Sequence, residues 1–136
     1  MSTKSELLKL LESHRGEYLS GEELALRLGY SRTAVWKAMK SLRQEGYRIT
    51  AVNNRGYALE TDNDILSVEA VKMHLDNRDV FMEVEKEINS TNQYLKKRGI
   101  EENLPHGSFV AAEAQTEGKG RRGRSFYSPA GSGLYL

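Results

Sequence analysis

Apolar residues recur at three- and four-residue spacings through the first 45 positions of this 136-residue chain, which is the period of an α-helix. The pattern predicts three helices, over residues 2–14, 20–29 and 31–45, with Ser20 and Ser31 as N-caps. Their buried faces are predicted to consist of Leu7, Leu8, Leu10, Leu11, Leu24, Ala25, Leu28, Val35, Ala38, Met39 and Leu42. Two short helices joined by a tight turn that contains Gly29 are typical of a helix-turn-helix.

Short apolar and aromatic segments follow over residues 47–59 and predict two strands. The polar segment Asn53-Asn54-Arg55-Gly56 separates them and predicts the connecting turn. Three helices followed by a β-hairpin make a winged helix-turn-helix. A polar linker is predicted over residues 61–64, so we expect residues 1–62 to form one domain.

The remaining positions alternate between strand and helix patterns. They predict a helix over residues 67–77, a strand over 81–88, a helix that ends near Arg98, a strand over 108–113 and the start of another at Gly133. This order is typical of an α/β domain, which would comprise residues 63–136. The fold class predicted for the whole chain is α+β, with a winged helix-turn-helix followed by the beginning of an α/β domain.

Composition excludes several classes of function. Hydrophobic residues make up 38% and charged residues 29%, as in ordinary globular proteins. The chain has no cysteine, which excludes disulfides and thiolate chemistry, and its three histidines lack zinc-site spacing, so no metal-binding residue is predicted. No apolar segment approaches the roughly 20 residues that span a bilayer, and a signal peptide is not apparent. We expect a cytoplasmic protein with no membrane partner.

Charge is distributed unevenly, although the net charge is only +1. Residues 1–61 contain 10 Lys and Arg against 7 Asp and Glu, and residues 62–117 contain 6 against 12. Residues 118–136 carry four cations and no acid. We therefore expect separate surfaces with separate partners.

Cations dominate the third helix and the predicted turn, where Glu45 is the only acid between positions 32 and 55. This favours double-stranded DNA as a partner, because cations on a helix that fits the major groove neutralise phosphates. The candidate DNA-contacting residues are Ser31, Arg32, Thr33, Trp36, Lys37, Lys40 and, on the turn, Arg55. A protein-interaction module with a solvated basic face is the alternative, and Trp36 could instead cover the edge of the core.

Three glycines alternate with four cations over residues 118–124. The backbone amides of such a loop can surround an anion while Lys and Arg neutralise its charge. The spacing matches neither a Walker A loop nor a Rossmann glycine motif. An arginine-rich RNA-binding segment and a solvated basic turn remain alternatives at this point.

Four segments look like those of the biotin protein ligases: Ser90-Thr91-Asn92, residues 113–124, Ser128-Pro129 and Gly133-Leu134-Tyr135. With the winged helix ahead of them, the chain resembles the N-terminal portion of the bifunctional, biotin operon repressor type of this family. The resemblance implies that biotin and ATP, with Mg expected, give biotinyl-5'-AMP and pyrophosphate. The adenylate would then biotinylate a lysine of the biotin carboxyl carrier protein and would also act as corepressor.

The resemblance also implies roles for individual residues. The biotin pocket would be lined by Ser90, Thr91, Asn92, Gln115, Lys119, Gly120 and Arg121. The loop over the adenylate phosphate would consist of Gly118, Lys119, Gly120, Arg121, Arg122, Gly123 and Arg124. Arg121 and Arg124 would be the catalytic residues, acting by electrostatic stabilisation. Family loops usually have Arg where this chain has Lys119, which lacks the bidentate guanidinium fork.

Regulation follows from the same resemblance. In its full-length, adenylate-bound form such a protein would be a homodimer that binds a two-half-site operator. Because family members continue well beyond this length, we expect these 136 residues not to complete either reaction alone. The alternative from another class is a non-catalytic winged-helix transcription regulator with a ligand-sensing domain.

Overall fold

The computed structural model describes residues 2–136, which divide into two compact units. The first ends at His74 and the second comprises Leu75–Leu136. The described part of the chain contains five α-helices and four β-strands, as expected for an α+β fold. None of these helices is long and apolar enough to cross a membrane.

The first unit begins with three helices, namely α1 (Thr3–Ser13), α2 (Gly21–Leu28) and α3 (Arg32–Gln44). A serine precedes each of them, and its hydroxyl accepts a hydrogen bond from a backbone N–H of the first turn. The capping residues are Ser2, Ser20 and Ser31. Such caps satisfy donors that the helix itself leaves unpaired. The three helices predicted from the sequence are therefore confirmed.

A two-stranded hairpin with a bridge to Leu19 follows the three helices. Strands β1 (Ile49–Val52) and β2 (Gly56–Leu59) form an antiparallel hairpin. On the other side of β2, Leu19 and Tyr57 exchange two backbone hydrogen bonds of 2.9 and 2.8 Å. Gly56 permits this approach, because a Cβ atom there would lie 2.2 Å from the Leu19 carbonyl oxygen. The hairpin confirms the winged helix-turn-helix.

The core of this unit combines side chains from all three helices and the hairpin. Its buried members are Leu7, Leu8, Leu11, Leu19, Leu24, Ala25, Val35, Ala38, Met39, Leu42, Tyr47, Ile49 and Leu59. Full burial of one leucine contributes about 1.5–3 kcal/mol. The short helix α4 (Val68–Lys72) packs against α1, where the Ser5 hydroxyl donates to Glu69 across 2.6 Å. Residues 63–74 thus pack with the first unit, while the division into domains 1–62 and 63–136 stays a prediction.

Asn63 anchors the segment that the sequence presents as a linker. It is 4% exposed, and its Oδ1 atom accepts a hydrogen bond from the Arg48 backbone at 3.1 Å. Its carbonyl oxygen accepts from the Arg15 guanidinium at 2.8 Å. Arg15 in turn forms a bidentate pair with Glu12, whose side chain is buried. The segment is therefore held against α1.

The second unit is a strand–helix–strand motif, with β3 (Met82–Ile88), α5 (Thr91–Glu102) and β4 (Phe109–Gln115). The two strands are parallel and in register from Met82 opposite Phe109 to Ile88 opposite Gln115. A parallel pair requires a crossover connection, which α5 supplies. Small side chains occupy both faces of β4, where Val110, Ala111, Ala112 and Ala114 are all buried.

Three boundaries differ from the sequence prediction. The helix expected to reach residue 77 ends at Lys72, because residues 76–79 are polar and exposed and offer no face to pack. Helix α5 continues to Glu102, where an Arg98–Glu102 ion pair of 2.8 Å spans its last turn. At the predicted third strand, Tyr135 forms a single bridge to Ala112.

Candidate ligand site and nucleic-acid interface

Three of the predicted ligand residues, Ser90, Thr91 and Gln115, lie together at the carboxyl ends of β3 and β4. The register continues past both strands, because Thr116 and Glu117 donate backbone hydrogen bonds to the carbonyls of Ile88 and Asn89 at 2.9 and 2.8 Å. Residues 89–92 therefore lie beside residues 115–117. The carboxyl edge of parallel strands is where α/β proteins commonly bind their ligands.

Gln115 joins these two segments with its side chain. Its Oε1 atom accepts from the backbone N–H of Thr91 at 2.8 Å and from the Thr91 hydroxyl at 3.1 Å. Its Nε2 atom donates to the Ser128 hydroxyl at 3.1 Å. The Oε1 atom of Gln115 thus accepts two hydrogen bonds within the chain. The Nε2 amide has one further N–H that can donate to another acceptor.

The Ser90-Thr91-Asn92 segment begins helix α5. Ser90 is the N-cap, and its hydroxyl oxygen accepts from the Gln93 backbone at 3.4 Å. Ser90 and Thr91 are buried, whereas Asn92 is exposed on the first turn. The Ser90 hydroxyl hydrogen is still free to donate, so this residue can serve as both cap and ligand donor.

Residues 118–126 fold back on themselves as an irregular hairpin. Gly120 donates to the Arg124 carbonyl at 2.7 Å, and Phe126 donates to the Gly118 carbonyl at 2.8 Å. A single 3-10 turn over Arg121–Gly123 forms the tip, with Arg122 in the left-handed region at a φ of +58°. The loop therefore has a defined backbone, and a non-glycine residue occupies a conformation that costs energy.

Gly118 is required by sterics at the base of this loop. A Cβ atom there would lie 2.4 Å from the Phe126 carbonyl oxygen and 2.6 Å from the Ser128 hydroxyl. Ser128 itself is 3% exposed and contacts both Gln115 and Phe126. Sequence reasoning did not identify Ser128 as a site residue, because its only signal was a place in the Ser-Pro segment of the resemblance.

The cationic side chains of the loop all face solvent. Lys119, Arg121, Arg122 and Arg124 are found in no ion pair within residues 2–136 and are accessible to solvent. No acid lies between positions 118 and 136. Their combined charge is thus available to an anionic ligand, and a phosphate or carboxylate bound among them would be stabilised.

Near the start of β3, Glu83 takes part in a hydrogen-bond network that sequence reasoning missed. Tyr94 donates to Glu83 at 2.6 Å, and Arg98 contacts both the Tyr94 hydroxyl at 2.9 Å and Glu83 at 3.2 Å. The hydrogen bond to Glu83 raises the pKa of Tyr94. This network ties α5 to β3 and so fixes the helix whose first turn holds Ser90 and Thr91.

The candidate DNA-contacting residues of α3 lie together on its exposed face. Exposed members of this set are Ser31, Arg32, Thr33, Trp36, Lys37 and Lys40. Trp36 is 54% exposed and packs against the Lys40 ammonium, 5.5 Å from its ring centroid. A cleft of about 300 Å³ opens beside this face, lined by Gly21, Arg32, Thr33, Val35, Trp36 and Tyr57. The tryptophan therefore does not close the core.

Other cations of this region are engaged elsewhere in the fold. Arg43 donates to the Ile49 carbonyl at 2.9 Å, and Arg48 pairs with Asp62 at 2.6 Å. Arg55 stacks on the ring of Tyr18, with 4.6 Å between its guanidinium carbon and the ring centroid. Arg43 and Arg48 already have partners within the fold, so Lys37 and Arg32 are more available to bind a phosphate.

No group of three or more His, Cys, Asp or Glu side chains within residues 2–136 is placed to hold a metal ion. Mg²⁺ usually needs one or two carboxylates besides substrate phosphates. The basic loop over residues 118–124 contains no carboxylate, and the Mg²⁺ expected with ATP stays a prediction.

Comparison with known sequences separates the chain into two family regions. Residues 3–58 match the helix-turn-helix family described as HTH domain, and residues 84–136 match the family described as biotin/lipoate A/B protein ligase. Both regions coincide with parts of the fold described above, the first with the winged helix and the second with the β3–α5–β4 motif and the basic loop.

The chain is similar to curated proteins named bifunctional ligase/repressor BirA. The protein of Salmonella typhimurium is 42% identical over 121 residues, which are 89% of this chain and 37% of the relative. The protein of Escherichia coli is 40% identical over 96% of this chain and 39% of its own length. That of Bacillus subtilis is 33% identical over 98% and 41%.

The chain thus spans about two-fifths of the length of these relatives. The HTH region precedes the ligase region along the chain. The chain thus combines a match to the HTH domain family with a match to the biotin/lipoate A/B protein ligase family, and it is similar over most of its length to proteins named bifunctional ligase/repressor.

Proposed function

We propose that this chain is part of a biotin–[acetyl-CoA-carboxylase] ligase that is also a DNA-binding repressor of biotin genes. The observation that carries the ligase half is the parallel register of β3 and β4, which brings Ser90, Thr91 and Gln115 beside a loop of unpaired cations. The similarity to curated ligase/repressors supports the same function.

In the first reaction, the biotin carboxylate attacks the α-phosphorus of ATP, an acyl–phosphate bond forms and pyrophosphate leaves. Ser90 and the free N–H of Gln115 are suited to the ureido carbonyl of biotin, which accepts hydrogen bonds. Thr91 positions Gln115 through its backbone N–H. Asn92, which is exposed on the first turn of α5, completes the proposed pocket.

The basic loop stabilises charge in this reaction. Arg121 and Arg124 would bind the phosphate oxygens on which negative charge accumulates, and Lys119 and Arg122 would add to the same field. Lys119 provides a point charge without a guanidinium fork. The backbone N–H groups of Gly118, Gly120 and Gly123 would approach the ligand closely because these residues have no side chain.

In the second reaction, the amine of a carrier-protein lysine attacks the acyl carbon, an amide forms and AMP leaves. No enzyme nucleophile is needed for this step. The same cations would stabilise the charge that AMP carries away. The biotin carboxyl carrier protein is therefore the proposed macromolecular substrate.

The repressor half rests on the exposed basic face of α3. Ser31, Arg32, Thr33 and Trp36 lie at the end of the helix that would enter the major groove, and Lys37 and Lys40 would neutralise phosphates. Arg55 lies on the wing. A homodimer of the full-length protein, favoured by biotinyl-5'-AMP, would place two such helices on one operator.

Calorimetric titration with biotinyl-5'-AMP tests the proposal on the 136-residue chain. We expect binding that weakens about tenfold or more in Arg121→Ala, because one charge-assisted contact contributes about 1.5–3 kcal/mol. Arg78→Ala, an exposed arginine outside the loop, is the matched control and should bind as the wild type does. Equal binding by Arg121→Ala and Arg78→Ala would contradict the proposed role of the loop.

A second titration separates the ligase from a ligand-sensing regulator. A pocket built for the adenylate should bind biotinyl-5'-AMP more tightly than biotin or AMP alone, since the loop cations contact the phosphate. A regulator that senses only biotin should bind biotin and biotinyl-5'-AMP equally well. Equal affinities would favour that alternative.

A further inference from the structure

The wing arginine is supported by a tyrosine from a distant part of the sequence. Tyr18 precedes α2, whereas Arg55 lies in the turn between β1 and β2, yet the guanidinium carbon is 4.6 Å from the tyrosine ring centroid. Within residues 2–136, Arg55 forms no ion pair with a carboxylate. Arg55 thus lies over an aromatic ring and has no carboxylate partner among these residues.

Backbone contacts hold together the two segments that carry these side chains. Leu19, the neighbour of Tyr18, exchanges two hydrogen bonds with Tyr57, and the absence of a side chain at Gly56 allows the close approach. Asn54 adopts a φ of +64° and closes the turn immediately before Arg55. Tyr18 is half-buried and Arg55 is exposed, so the ring acts as a fixed support beneath a solvent-facing cation.

We infer that Tyr18 is a positioning residue that orients Arg55 toward a phosphate of double-stranded DNA. The inference rests on the proposed DNA-binding function and adds a residue that the sequence did not single out. A guanidinium stacked on an aromatic face keeps its N–H edge free for a phosphate. Arg55 would also lose less side-chain freedom when DNA binds, because the stack already restricts it.

Fluorescence anisotropy with a fluorescein-labelled DNA duplex tests this at low salt, using the full 136-residue chain. The variants are Tyr18→Leu, Tyr18→Phe, Arg55→Ala and the double variant Tyr18→Leu with Arg55→Ala. We expect Tyr18→Leu to bind about two- to fivefold more weakly, which corresponds to the strength of an exposed cation–π contact. Tyr18→Phe keeps the ring and should bind like the wild type.

The double variant shows whether Tyr18 affects DNA binding through Arg55 or only through the stability of the fold. If Tyr18 acts through Arg55, Tyr18→Leu causes no further loss once Arg55 is alanine. Arg55→Ala should also reduce the slope of log affinity against log salt by about 1. Thermal unfolding of each variant checks the fold, and Tyr18→Met replaces Tyr18→Leu if the leucine variant does not fold.

Two results would overturn the inference while leaving DNA binding intact. One is a loss of affinity from Tyr18→Leu that is equally large with and without Arg55. The other is unchanged or tighter binding by Tyr18→Leu, which would mean that the ring does not orient the cation for DNA. Failure of the wild-type chain to bind the duplex at any salt concentration would instead overturn the proposed DNA-binding function, and this inference with it.

Discussion

The Oε1 atom of Gln115 lies 2.8 Å from the backbone nitrogen of Thr91, so one side chain connects the end of β4 to the first turn of α5. This contact is possible because the parallel register places Ile88 opposite Gln115. The same side chain reaches Ser128 through its amide nitrogen. The glutamine thereby holds both sides of the proposed biotin pocket together.

Replacement of Gln115 by leucine should disturb both stability and ligand binding. The change leaves the Thr91 N–H without its acceptor, which costs about 1–3 kcal/mol in a buried place. We expect a lower free energy of unfolding in urea and weaker binding of biotinyl-5'-AMP. Gln93→Leu changes an exposed glutamine of α5 and should leave both quantities nearly unchanged. Equal effects of the two substitutions would contradict the bridging role.

Gly118→Ala should alter the loop, because the added Cβ would lie 2.4 Å from the Phe126 carbonyl oxygen. The base of the hairpin must open to relieve this contact, and we expect biotinyl-5'-AMP to bind at least tenfold more weakly, a loss of about 1.4 kcal/mol. Gly99→Ala is the control, since nothing lies within 4 Å of a Cβ there and alanine favours the helix by about 1 kcal/mol. Unchanged binding by Gly118→Ala would show that the loop does not contact the ligand.

The secondary structure of the first unit could be predicted because its signals are local. For α1, α2 and α3, the serine cap and the helical spacing of apolar residues both lie within the helix or next to it. Helix α4 was predicted too long, since the Ser67 cap marks its start but no comparable signal marks its end at Lys72. The contacts of Gln115 with Thr91 and of Arg55 with Tyr18 join distant segments, and only the folded chain reveals them.

The ion pair between Glu12 and Arg15 should matter more than a surface pair. The side chain of Glu12 is 3% exposed, so Arg15→Ala leaves a buried carboxylate without its cation. We expect a loss on the order of 3 kcal/mol in the free energy of unfolding. Arg27→Ala breaks the exposed pair with Glu23 and should cost about 0–1 kcal/mol. Similar losses in urea denaturation would contradict the burial argument.

Stability of the first unit should decline in strong base because of Tyr47. Burial raises the pKa of Tyr47 to about 12, against 10.0 for an unperturbed tyrosine. The folded chain therefore holds this proton more tightly than the unfolded chain, and its contribution, full below pH 10, is lost as the pH rises toward 12. Two pKa units correspond to about 2–3 kcal/mol. Tyr47→Phe should lose less stability than the wild type over this interval, and parallel curves would refute the assignment.

Hydrogen–deuterium exchange with and without biotinyl-5'-AMP tests most directly whether the carboxyl edge of β3 and β4 and the basic loop form one ligand site. We predict slower exchange in residues 89–93 and 116–126 of the 136-residue chain when the adenylate is present, and unchanged exchange in α1 and α3. Unchanged exchange in both segments at saturating adenylate would contradict the proposal that they form one ligand site.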